Sequence, residues 1–230
     1  MANFDLVDLT HTLEENSPTW EGVSGFAAYI DVDYNDGARV MSYELFAGIG
    51  THIDAPSHFI KDGETIDQIK LKKLFVKAFI IDVRKKVTYD DGYSVSVEDL
   101  KSFENKHGEI GENSLVIIYT GWSVRWPDSP AYRNPDADGK MHFPGISAKA
   151  VDYLLKKDVV GVGIDTLSPD GSDYEFPIHK KVLGAGKYII ENLTNLDKLP
   201  STGAYIMVLP LKIARATEAP ARVVGLIPND

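Results

Sequence analysis

The chain of 230 residues contains no cysteine. That absence excludes disulfides, thiolate nucleophiles, iron–sulfur clusters and cysteine-ligated zinc. Any metal must then be held by His, Asp, Glu and water. Basic residues are also scarce, with 24 Lys and Arg against 34 Asp and Glu and a formal charge of −10. Nucleic-acid surfaces need a basic face, and docking on anionic lipid needs a basic patch. Neither partner is expected. No apolar run approaches the roughly 20 residues that span a bilayer. The start, Met1-Ala-Asn-Phe-Asp-Leu-Val-Asp8, lacks the basic opening and apolar run of a signal peptide, so a cytoplasmic protein is expected. Low-complexity segments, fixed-period repeats and long Pro/Gly/Ser linkers are missing too, so residues 1–230 read as one domain.

What is present begins with short β-branched and aromatic runs. Lys77–Val83, Ser114–Thr120, Val159–Asp165, Tyr188–Leu193, Ala204–Pro210 and Ala221–Ile227 are near-continuously apolar and of strand length. Such runs suit strands buried on both faces. Ala221–Ile227 could equally pair across a subunit interface. Two helices are legible. Ser96 caps a helix through Val97–Phe103 with acids in its first turn, and Ser147 caps Ala148–Lys156 with Val151, Leu154 and Leu155 on one stripe. Strands outnumber helices, and each helix precedes a buried-type strand. The pattern predicts an α/β layered fold with a large mixed sheet and a few flanking helices. The segment 121–146, rich in Trp, Pro, Asp and Gly, reads as a long irregular loop, either of the kind that forms lids or binding loops or a meandering surface loop pinned by its aromatics.

The densest chemistry lies in Gly48-Ile-Gly-Thr-His-Ile-Asp-Ala-Pro-Ser-His-Phe59. His52 and Asp54, two apart, share a face of an extended backbone. Ala55-Pro56 then breaks strand pairing and turns the chain, which can bring His58 back beside them. Burying an aspartate without compensation is costly, so a metal or catalytic site explains this cluster better than a satisfied core histidine. Gly48 and Gly50 leave room for close backbone approach, and Thr51 can orient a ligand. Elsewhere Glu191 interrupts the apolar Tyr188–Leu193 run, where an acid must face solvent, pair with a cation or bind metal. His179 sits in Pro177-Ile-His-Lys, a loop-like context. His11 is a candidate neighbour of the site, His142 a candidate pocket residue, and His107 a solvent-facing helix end.

Gly50-Thr-His-x-Asp-x-Pro-x-His58 resembles the signature of the cyclase family of metal-dependent hydrolases, which includes bacterial kynurenine formamidases and isatin hydrolases. The family pattern is His-x-Gly-Thr-His-x-Asp-x-Pro-x-His, and this chain matches every fixed position but the first, where Gly48 stands. The resemblance extends from Asp8-Leu-Thr-His11 and Ser17-Pro-Thr-Trp20 through Thr120-Gly-Trp122 to Glu191-Asn-Leu193. It implies a swivelling β/β/α fold and a homodimer or homotetramer. It further implies metal ligation by His52, Asp54, His179 and Glu191, the last two standing twelve positions apart as in the family. Zinc is the first expectation and manganese the second, as one ion or two. His58 would be the catalytic proton shuttle, and Trp20 would line the substrate pocket, with Phe46, Phe59 and Trp122 as further stacking candidates. The implied activity is hydrolysis of a carbon–nitrogen amide bond, in an aryl formamide or a cyclic amide. Two other readings stay open: a cyclase or dehydratase, and a small-aromatic-binding protein whose catalysis is lost with the ligand at position 48. No replacement ligand is evident in Phe46–Ile49.

Overall fold

The computed structural model describes residues 3–229; Met1, Ala2 and Asp230, at the ends of the expected domain, lie outside them. The strands, in chain order, are β1 (Phe4–Asp8), β2 (Phe26–Val32), β3 (Val40–Leu45), β4 (His52–Asp54), β5 (Phe75–Asp82), β6 (Ser94–Val95), β7 (Leu115–Tyr119), β8 (Gly145–Ile146), β9 (Gly161–Ile164), β10 (Tyr188–Glu191), β11 (Tyr205–Pro210) and β12 (Glu218–Pro228). The helices are α1 (Leu71–Leu74), α2 (Arg84–Val87), α3 (Val97–His107), α4 (Ser129–Arg133), α5 (Ala148–Lys156) and α6 (Pro177–Gly184). Short 3₁₀ turns connect several of them.

The large mixed sheet is present, and it closes on itself. Strands β5, β7, β9 and β10 run parallel side by side. On one flank β11 and β12 add antiparallel strands. On the other, β4 pairs antiparallel with β10 and also with the start of β12, completing a ring of seven strands. Strand β1 pairs with the far half of β12. Because the sheet has helices outside and side chains within, both faces are dry. In β7, Leu115 and Ile117 join the inner core, while Val116 and Ile118 join an outer core with Leu100 of α3 and Val151 and Leu154 of α5. A strand with two buried faces has no reason to alternate polar and apolar residues.

The two expected helices form where their caps predicted. Ser96 and Asp99 make a capping box at the start of α3, and the Ser147 side chain accepts from Ala150 N at the start of α5. Three expectations need correction. Segment 121–146 is not a loose loop: α4 and a 3₁₀ turn carry Trp122, Trp126 and Tyr132 into a third apolar cluster with Met141 and Phe143. Trp122 Nε1 donates to the Tyr132 carbonyl at 2.7 Å. Its aromatics bury enough area to hold an irregular backbone in place. Secondly, Ala221–Ile227 lies within β12 with β11 on one edge and β1, Leu9 and Thr51 on the other, so it has no edge to offer a partner. Thirdly, His179 lies on a helix. Pro177 suggests a loop, but proline at the first helical position costs no hydrogen bond, and here it opens α6.

Candidate metal centre

The site is built by register. His52 and Asp54 occupy alternate positions of β4, so both face one side of the sheet. On the β10 edge His52 stands opposite Glu191; on the β12 edge Asp54 stands opposite Glu218. Directly opposed residues present side chains on the same face, so three carboxylates and one imidazole converge on β4. Helix α6 lowers His179 onto the same spot. The Pro56–His58 3₁₀ turn returns His58 alongside, its ring centroid 6.0 Å from that of His179.

The carboxylate geometry is that of a bridge. Asp54 places Oδ1 3.4 Å from His52 Nε2 and Oδ2 3.4 Å from His179 Nε2. Glu191 places Oε2 3.4 Å from His52 Nε2 and Oε1 3.2 Å from His179 Nε2. His52, Asp54 and Glu191 each bring a donor atom within 4.8 Å of the others, and Asp54, His58 and Glu218 do likewise. All four of His52, Asp54, His179 and Glu191 are buried.

The imidazoles are oriented from behind. His52 Nδ1 lies 2.8 Å from the Gly50 carbonyl, which can only accept, so Nδ1 carries the hydrogen and Nε2 faces the carboxylates. His179 Nδ1 lies 2.5 Å from Asp170 Oδ2, which fixes its ring the same way. Asp170 also accepts from the backbone N–H of Ile178, tying the start of α6 to this carboxylate. A carboxylate or carbonyl behind a ligand imidazole is the usual outer support of a metal site. The Gly50 carbonyl is presented by a left-handed backbone, φ +65°, and it also accepts from Asn192 Nδ2.

The residues fit a cation. Neither Asp54 oxygen nor Glu191 Oε1 receives a hydrogen bond, and all three atoms are buried. Buried acceptors without donors are costly unless paired with charge. The protonation equilibria show the same demand. Burial, with the Asp54 charge added, pushes Glu191 up to about 7. Burial opposes a charge on Asp54, but the imidazoles of His52 and His179 outweigh it and hold the carboxyl low. Burial likewise opposes protonation of His52, yet Asp54 and Glu191 lift it to about 10, and Asp170, Asp54 and Glu191 lift His179. His58 is raised against its burial by Glu218 and Asp54. The cluster thus draws protons onto its imidazoles wherever no other positive charge neutralises it. An all His/Asp/Glu donor set suits zinc, manganese or iron.

A cleft of about 570 Å³ opens onto this cluster. Its walls include Trp20, Phe46, Phe59 and Phe176, and its floor includes His52, His58, His179, Glu191 and Glu218. Trp20 packs against Tyr174 and Phe176 at 5.3 Å between ring centroids. Of the other residues singled out in the sequence, Trp122 lies in the third apolar cluster rather than the cleft. His11 stacks on Trp126 at 4.1 Å, and its backbone N–H donates to Thr51 Oγ1, so it braces β4 from behind. Thr51 in turn donates to the Asn192 carbonyl at 2.6 Å and orients no metal ligand. His142 is tied to Asp136 at 2.8 Å on the surface and lines no part of the cleft. His107 ends α3 and packs against Phe103.

A match to the Putative cyclase family model covers residues 7–171. The chain belongs to this family. It is 36% identical to the isatin hydrolase of Roseibium aggregatum over 190 residues, which is 78% of this chain and 72% of that protein. It is 27% identical to the kynurenine formamidase of Bacillus cereus over 228 residues, 97% of this chain and 98% of that one. Its fold superposes with a TM-score of 0.92 on the crystal structure of an isatin hydrolase bound to the product analogue thioisatinate, at 30% identity and covering 98% and 93% of the two chains. The swivelling, mixed-sheet cyclase fold is thereby shared along nearly the whole length. Within this cyclase-family site, two residues escaped the sequence reading. Asp170 looks like any acid in a Ser-Pro-Asp-Gly turn, and Glu218 looks like part of a polar linker before the apolar run. Only their positions behind His179 and opposite Asp54 distinguish them.

Proposed function

We propose that this cyclase-family protein is a metal-dependent hydrolase that opens a carbon–nitrogen amide bond in a small planar substrate, an aryl formamide or a fused cyclic amide. The observation that carries the reading is the division of Asp54 and Glu191, each with one oxygen toward His52 and one toward His179. His52, Asp54, Glu191 and His179 would hold the cation. Bound there, a divalent ion polarises the carbonyl and acidifies a water. The chain's own residues do the rest. His58, at the cleft floor with its Nδ1 held by Glu218, takes a proton from the attacking water through Nε2 and returns it to the leaving nitrogen. Imidazole suits both steps because it titrates near neutral pH. Trp20, Phe46, Phe59 and Phe176 offer flat apolar walls for an aromatic ring and keep bulk water off the reacting carbonyl. The relatives named for isatin and kynurenine formamide hydrolysis support this substrate class.

The same reading includes zinc as the resident ion, manganese second, and a homo-oligomer built through the exposed β2–β3 hairpin, whose Tyr29, Ile30, Met41 and Tyr43 face outward. Residues 1–230 act as one domain in it. No helix is long and apolar enough to cross a membrane among the described residues; a cytoplasmic setting is part of the same proposal. The test is removal of metal by chelation and its return, followed on a panel of aryl formamides and isatin. Activity should vanish and come back; a metal-free protein as active as the loaded one overturns the proposal.

A further inference from the structure

Glu218 has two oxygens and two different surroundings. Oε2 lies 3.1 Å from His58 Nδ1. Oε1 sits in the space beside Gly48, so closely that a Cβ built on Gly48 would collide with it. His52 Nε2 lies 3.4 Å from that same point. Only a residue with no side chain leaves this room, and the carboxylate of a residue 170 positions away has filled it. The neighbour across the pairing is Asp54, whose two buried oxygens receive no hydrogen bond. Bringing a second acid within 4.8 Å of Asp54 is unfavourable unless a cation lies between them.

We propose that Glu218 Oε1 supplies a cation ligand from the space beside Gly48, the position at which the resembled signature carries its first histidine. Gly48 and Glu218 are then one exchange: the glycine removes a neutral nitrogen donor and clears the volume, and the glutamate adds an anionic oxygen donor from β12. The set facing β4 becomes richer in carboxylate than in imidazole. Carboxylate favours manganese over softer competition, whereas imidazole suits zinc, so the exchange shifts the site's preference toward manganese. Glu218 keeps its hold on His58 through the other oxygen.

This inference rests on the metal reading above, and one experiment separates the two. Metal-free wild type, Glu218→Gln and the double variant Gly48→His/Glu218→Ala are titrated with Mn²⁺ and with Zn²⁺ by calorimetry, with Mn²⁺ binding also followed by electron paramagnetic resonance. Expected is that Glu218→Gln loses one equivalent of Mn²⁺ or at least about tenfold in its affinity, the scale seen when even an outer partner of a ligand is removed. The double variant regains the site with its affinity ratio shifted further toward Zn²⁺ than in the wild type. Should Glu218→Gln fail to fold, Glu218→Asp, whose carboxylate is drawn back by one methylene, takes its place with the same expected loss. Unchanged Mn²⁺ stoichiometry and affinity in the glutamate variant overturns the role of Glu218 while leaving the metal reading intact. A wild type that binds neither ion overturns both.

Discussion

Strand β4 and the β2–β3 hairpin are neighbours in sequence and opposites in structure. Both are short and extended. All three residues of β4 are buried, and each is paired on both edges. In the hairpin all six residues of β3 and the outer half of β2 are exposed, and the two strands pair only with each other. The difference lies in what flanks them. β4 receives β10 and β12 from far along the chain, and the hairpin receives no further strand among the described residues. Burial converts the polar residues of β4 into a demand for charge. Exposure leaves Glu44 of the hairpin an ordinary surface acid, hydrogen-bonded to Tyr29 across the pair. The same residue type is chemistry in one place and decoration in the other.

The contrast can be broken at its strongest point first. Asp54→Ala removes the carboxylate shared by His52 and His179; metal content by elemental analysis should fall to background and turnover by more than roughly 10²-fold. Full retention of metal would equate β4 with the hairpin. Next, His58→Ala should keep the metal and lose roughly 10²–10⁴-fold in rate, the range for a general acid–base group. Loss of metal with it would make His58 a ligand instead. Thirdly, Ile117→Ala, inside the ring, should cost about 2–5 kcal/mol in denaturant unfolding. Tyr43→Ser in the hairpin should stay within about 0.5 kcal/mol at the level of one chain, and should shift the mass by light scattering toward the monomer.

A pH-dependent effect concerns His11, which braces β4. Burial pushes it down to about 4. Between that value and the ordinary 6.5 the unfolded chain binds a proton that the folded chain refuses, so stability is complete above about 6.5 and declines as the pH falls toward 4. His11→Gln should flatten that part of the stability curve. An unchanged slope would show that His11 carries its proton in the folded state.

How legible was this in the sequence? The six apolar runs and the capped helices were readable because each depends on residues within a few positions of one another. His52, Asp54 and His58 were readable for the same reason, since i and i+2 share a face in any strand. The hairpin was missed because Ala27-Ala-Tyr-Ile-Asp and Val40-Met-Ser-Tyr-Glu alternate weakly and bury nothing. β4 was foreseen as extended, but its two partners were invisible, being fixed by pairing across well over a hundred residues. Glu218 is the clearest case. Its neighbours Ala216-Thr-Glu-Ala-Pro220 carry a proline, which argues against a central strand; Pro220 is tolerated where β12 meets the short β4. His179 reads locally as a loop residue, because proline opens helices as well as ending them; only the family spacing singles it out.

The closure of the ring by β4 has a consequence for how the protein comes into being. Thr51 and Asn192, bonded side chain to backbone, are 141 positions apart, and Glu218 lies further still. A chain growing from its N-terminus therefore exposes Asp54 long before any strand that will enclose it exists. Pairings of this sequence separation are slow to form because loop closure must precede any gain from contact. The cation pocket is thus among the last features to mature, and the appearance of tight metal binding during refolding marks the moment when the whole circle of strands has shut.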